Sequence, residues 1–183
     1  MTILDEFVSA MRGCVALVMG RRDAPSYFDF SQKGLVGSLI AVVLAIAVAG
    51  YWPLLTGVQL PPGSATQSIL MNCMLFLAQA GTAFLALRQM GRQDGFIPYM
   101  VASNWVTLLV ALISPFTFLL GPAGIIVVLL VAVVALTTFI NVGRLIVTLK
   151  PLQIGLLFLS QAVGVFLAII VLGLMLGPVL PSS

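Results

Sequence analysis

Five long apolar runs leave this chain few ways to fold. Roughly Gly34–Leu55, Thr66–Arg88, Ile97–Leu120, Ala123–Thr148 and Leu152–Gly177 each reach the ~20 residues that a bilayer core demands of a spanning helix. Between them stand turn-forming separators: "LPPGSAT", "RQMGRQDGF", Gly121-Pro122 and Lys150-Pro151. A soluble domain carries about 25% charged residues. Here 7% are charged and 61% hydrophobic, more apolar surface than a soluble fold can hide. The fold class expected is therefore an all-α membrane protein, a five-transmembrane-helix bundle. Ser114-Pro115 divides the third run, so Ser114–Gly121 reads either as the end of that span or as a short re-entrant segment.

Residues 1–33 form a different kind of segment. Ile3, Leu4, Phe7, Val8, Met11, Val15, Val18 and Met19 recur at helical spacing, with Asp5, Glu6 and Arg12 mostly elsewhere. This predicts an amphipathic helix lying in the membrane interface, ahead of a transmembrane domain spanning 34–183. Acidic residues precede the apolar part and the uncharged stretch is short, so it does not read as a signal peptide. Asp23-Ala24-Pro25 is a turn, and Tyr27, Phe28 and Phe30 suit headgroup depth.

Charge sets the orientation. In a five-span arrangement all eight basic residues and all five acidic residues fall on one side. The positive-inside bias puts that side, with the N-terminus, in the cytoplasm, and the C-terminus outside a bacterial-type inner membrane. Arg21, Arg22, Arg88, Arg92, Arg144 and Lys150 are candidate contacts for lipid headgroups, although any polytopic protein needs such residues for orientation alone. The scattered basic residues do not suggest nucleic-acid binding.

Most catalytic chemistries lack their residues. The chain has no His, and its two cysteines, Cys14 and Cys73, are far apart with no metal-ligand spacing. No ionisable residue falls deep in a span, which disfavours an ion-coupled pump. Neither a cofactor nor a metal is expected, and the chain reads as non-enzymatic.

Two patterns remain. Gln79, Asn104, Asn141 and Gln161 each lie seven to nine residues from the cytoplasmic boundary of their spans, a depth of about 10–14 Å. Asn72, Thr107, Thr137, Thr138 and Ser160 add polar atoms, several of them near that layer. Amides in hydrocarbon need partners, so these four form either an interhelical belt or the lining of a polar cavity. Trp105, next to Asn104, would point toward lipid or a neighbouring helix. The second pattern is steric: Gly37, Ala41, Ala45 and Ala49 on the first span, and Gly164, Ala168, Gly173 and Gly177 on the fifth, allow close helix approach. They serve either packing within the chain or a face for a partner.

Five tightly spaced spans behind a cytoplasmic segment, with "GRQDGFIPYMVASNWVTLLVALI" around the third, resemble the Yip1-like family of small polytopic proteins. The acidic-aromatic-Gly-Pro motif and long soluble N-terminal region of its eukaryotic members are absent. The resemblance implies a non-enzymatic protein that organises partners or bilayer shape. The function expected is a non-catalytic scaffold, assembly factor or accessory subunit, partnered by membrane lipids and by another membrane protein or itself. The alternative is a small permease or lipid-handling protein with an amide-lined cavity.

Overall fold

The computed structural model describes residues 3–55 and 63–176 and, among them, contains helices and no strand. Helix α1 runs Ile3–Val18, α2 Gln32–Leu55, α3 Ser64–Gln89, α4 Phe96–Ile113, α5 Phe116–Leu119, α6 Gly124–Asn141 and α7 Pro151–Leu176. Five segments, 32–52, 64–89, 93–113, 121–146 and 151–174, are long and apolar enough to cross a membrane. They match the five expected spans in number and order. Leu60, Pro61 and Pro62 of "LPPGSAT", Gly177 and the C-terminal residues lie outside the described residues.

Two of the expected boundaries move. The third span ends at Ile113 rather than Leu120. The chain then turns through α5 and a 3₁₀ turn at Gly121–Ala123 into α6. Gly124 makes this turn possible: a β-carbon there would overlap the Thr117 carbonyl. The fourth span keeps α-helical geometry only to Asn141, continues as a π-turn over Val142–Ile146, and ends in a bend at Val147, short of the expected Thr148. Arg92 fixes this ending. Its guanidinium donates to the Val147 carbonyl, to the Thr148 carbonyl at 3.1 Å and to Thr148 Oγ1 at 2.9 Å. Thr148 sits at φ 55°, a left-handed conformation uncommon for a non-glycine residue. The clamp ties the loop before α4 to the loop before α7. Arg92 is thereby engaged with protein, not open to a headgroup.

The small-residue faces are used inside the chain. Ala41 and Ala45 are buried, and α2 packs most extensively on α4. Gly37 admits the Glu6 side chain of α1. On the fifth span, Gly164 lies against Thr82 of α3 and Ala168 is buried, so α7 packs chiefly on α3. Ala49 and Gly173 are exposed. Alanine or glycine at these contacts lets two backbones approach until side-chain atoms of one helix touch the other, the main attraction available between apolar helices in lipid.

Helix α1 has two apolar faces where the sequence suggested one. Ala10, Cys14 and Leu17 are buried and pack inward, while Leu4, Val8, Val15 and Met19 are exposed. Its contacts run across the bundle: Glu6 at Gly37 of α2, Phe7 edge-on to Trp105 of α4 with centroids 6.1 Å apart, and Leu17 at Asn141 of α6. Trp105 therefore meets a neighbouring helix. The three contact points lie within about 14 Å of the basic ends of their helices, so α1 lies across the bundle rather than along it. Its exposed stripe, with Arg12 beside it, is the face that an interfacial helix would give to lipid.

Two outcomes follow from this packing. Gly164→Val should lower stability by about 1–3 kcal/mol through overpacking against Thr82, whereas Gly173→Val, with nothing near its β-position, should be silent; thermal unfolding in detergent separates them. Burial pushes the Cys14 thiol up to about 12, so little thiolate forms at pH 8. In a Cys73→Ser background, maleimide should leave Cys14 unlabelled in folded protein and label it after unfolding; rapid labelling without denaturant would mean that α1 is undocked.

Candidate functional site: a polar cleft among four helices

The four amides do not meet in one belt. Asn104 is buried on α4 and its Nδ2 donates to Ser38 Oγ of α2 at 3.0 Å. Ser38 in turn donates to the Leu35 carbonyl at 2.8 Å. Asn141, also buried, donates to the Leu17 carbonyl at 2.7 Å in the last turn of α1, a carbonyl that also accepts from the Gly20 N–H at 3.0 Å. Gln161 Nε2 of α7 donates to the Gln79 backbone carbonyl of α3 at 3.1 Å. These are three separate contacts that join α4 to α2, α6 to α1 and α7 to α3. Asn72 bonds only within its own helix, to the Ser68 carbonyl at 2.8 Å.

Two of the four amides lie on the wall of a cleft. A cleft of about 440 Å³ lies between α3, α4, α6 and α7, and Gln79 and Gln161 are on its wall, whereas Asn104 and Asn141 are not. The reason is helical geometry. Tyr99, Ser103 and Thr107 follow one another at four-residue steps on α4 and line the cleft. Asn104, one residue on from Ser103, is turned about 100° away, toward α2. The four-residue spacing of Tyr99, Ser103 and Thr107 was the available sequence signal.

Thr138 and Tyr99 form the buried back of the cleft. Thr138 donates to the Val134 carbonyl at 2.7 Å, and the Tyr99 hydroxyl lies against Ser103. Phe139 and Phe158 meet edge-on with centroids 5.6 Å apart and close the side between α6 and α7. Gln79 and Thr107 are exposed and Gln161 partly so, which opens the polar wall to the surroundings. A second cavity of about 440 Å³ lies near Tyr51, Trp52 and Leu119. It is almost wholly apolar, with no convergent polar groups to orient a ligand.

The basic residues divide as well. Arg21 pairs with Asp23 through two contacts, at 3.0 and 2.5 Å, and these hydrogen bonds hold the Asp23 carboxyl below the usual carboxylate range. Arg22, Arg88, Arg144 and Lys150 are exposed and make no ion pair among the described residues. Arg12, not among the six candidates, lies beside an apolar groove along α1 with Phe7, Met11 and Tyr27.

No family model, curated protein or solved structure matches the chain.

The Ser38–Asn104 bond has an asymmetric consequence. Ser38→Ala strands a buried amide and should cost about 1–3 kcal/mol. Asn104→Leu removes the amide itself and should cost about 1 kcal/mol or less, because Ser38 keeps its bond to Leu35. Chemical denaturation of the two variants checks the order; equal losses would show that the bond does not bear on stability.

Proposed function

We propose that this chain is a non-catalytic multi-pass membrane protein that takes an amphiphilic ligand from the bilayer into the cleft between α3, α4, α6 and α7. The observation that carries this reading is the cleft itself: a wall of Gln79, Ser103, Thr107 and Gln161 set among apolar and aromatic side chains. Ligand sites are typically concave, largely apolar and provided with a few placed polar groups. An amide exposed at that depth in hydrocarbon is costly without a partner, and a visiting polar head supplies one.

Orientation follows the charges. The basic ends of the helices face the cytoplasm of a bacterial-type inner membrane, with α1 on that surface. The likeness to the Yip1-like family agrees with a non-enzymatic role. A scaffold or accessory-subunit role drew on the small-residue faces as a docking surface. Gly37, Ala41, Ala45, Gly164 and Ala168 are spent on contacts within the chain, so the cleft is the better-supported reading.

Purification in a mild detergent or nanodisc, with native mass spectrometry, should find the protein carrying a defined lipid or small amphiphile. Gln79→Leu combined with Gln161→Leu should remain folded and lose it. If the double variant instead unfolds readily and the wild type carries nothing, the amides are structural and the cleft is not a ligand site.

A further inference from the structure

The lining of this cleft also narrows the chemistry of its ligand, an inference that rests on the reading above. No Asp, Glu, Lys or Arg lines it, and the chain has no His, so neither an anion nor a cation meets a counter-charge there. Two of the side chains on its polar wall have each committed one proton to backbone. Thr107 gives its hydroxyl proton to the Ser103 carbonyl at 2.9 Å, and Gln161 gives an amide proton to the Gln79 carbonyl at 3.1 Å. Both keep acceptor lone pairs, on Thr107 Oγ1 and Gln161 Oε1, and Gln161 keeps its second amide proton. The Gln79 side-chain amide is exposed and has no hydrogen-bond partner among the described residues, so it offers both a donor and an acceptor.

Depth adds a second constraint. Gln79 lies ten residues before the end of α3, Gln161 ten residues after the start of α7, and Thr107 eleven after the start of α4. At the helical rise this is about 15 Å from the basic end, close to the middle of a hydrocarbon core about 30 Å thick. A charged head brought to that depth pays a large desolvation cost that nothing in the lining offsets.

We infer that the cleft binds an uncharged lipid headed by a free hydroxyl, of the diacylglycerol or long-chain prenyl alcohol kind. A hydroxyl donates to Thr107 Oγ1 or Gln161 Oε1 and accepts from the Gln79 amide, so it engages both the acceptors and the donors of the lining. A quinone head only accepts and leaves the Thr107 and Gln161 oxygens without a donor. A phosphate head sets negative charge against lone pairs. The apolar tail of the ligand runs along Val106, Val110, Phe158 and Val165 on the same wall.

The test uses the full chain in phosphatidylcholine nanodiscs, photolabelled with a diacylglycerol that carries a diazirine on one acyl chain. Labelled peptides are then identified by mass spectrometry. Label is expected in the cleft-lining parts of α3, α4, α6 and α7. Unlabelled diacylglycerol or a long-chain prenyl alcohol should displace it at least about tenfold more effectively than phosphatidic acid or a long-chain quinone, an advantage of roughly two hydrogen bonds. Whichever alcohol competes better identifies the source of the head. Thr107→Val with Gln161→Leu should cut labelling at least about fivefold, and Thr107→Ser alone should retain it. Equal displacement by phosphatidic acid or the quinone overturns the hydroxyl assignment while leaving the cleft a lipid site. Label confined to outward residues such as Ile125–Leu130 overturns the cleft reading as well. Should the double variant fail to fold, the competition series on wild-type protein decides alone.

Discussion

The close approach of α2 and α4 organises the rest of the molecule. Ala41 and Ala45 present almost no side chain, so the two helices pack along their length, and at the basic end Ser38 and Asn104 bond across the seam. For helices surrounded by lipid there would be little hydrophobic drive to associate, and contact area and a buried hydrogen bond would have to hold them together. This pair then forms the bed for α1, with Gly37 admitting Glu6 and Trp105 receiving Phe7. A bulkier residue at 41 or 45 would act on α1 as well as on α2.

The cleft is a by-product of how the remaining helices pair. Lys150-Pro151 turns the chain from α6 to α7, yet α7 finds its main contact on α3 through Gly164 and Thr82. Consecutive helices often pack together; here α6 and α7 splay and touch through Phe139 and Phe158. Space opens between the α3–α7 pair and the α4–α6 pair. The polar wall of that space is stable because its hydroxyls bond to carbonyls of their own helices, as Thr107 does to Ser103 and Thr138 to Val134. Such local bonds satisfy donors without drawing the helices together, and so they leave the space open.

How much of this was legible depended on the range of the interaction involved. Spans were legible because hydrophobicity over ~20 residues is a sum that small errors do not disturb. Helix ends were less so: the stop at Ile113 is marked by Ser114-Pro115, but the π-turn after Asn141 depends on Arg92, far away in sequence. Three of the four amides bond to protein, but none to another side-chain amide, and that of Gln79 is left without a partner among the described residues. Asn141 found a buried carbonyl in the last turn of α1, and Asn104 found a serine, because each bonds to the helix that its own face meets. A linear count of depth carries no information about azimuth. Residues 103 and 104 share a depth and face different helices.

The sequence by itself determined the class of fold, the number and order of the apolar helices, and the confinement of charge to one end, since these follow from composition and spacing along the chain. Only the tertiary structure decided which polar groups became structural bonds and which were left to line a cleft. That choice depends on which helix lies beside which, and it was made by a few close approaches at Ala41, Ala45 and Gly164. Small residues permit such contacts without specifying the partner, so their meaning is fixed only when the helices have packed.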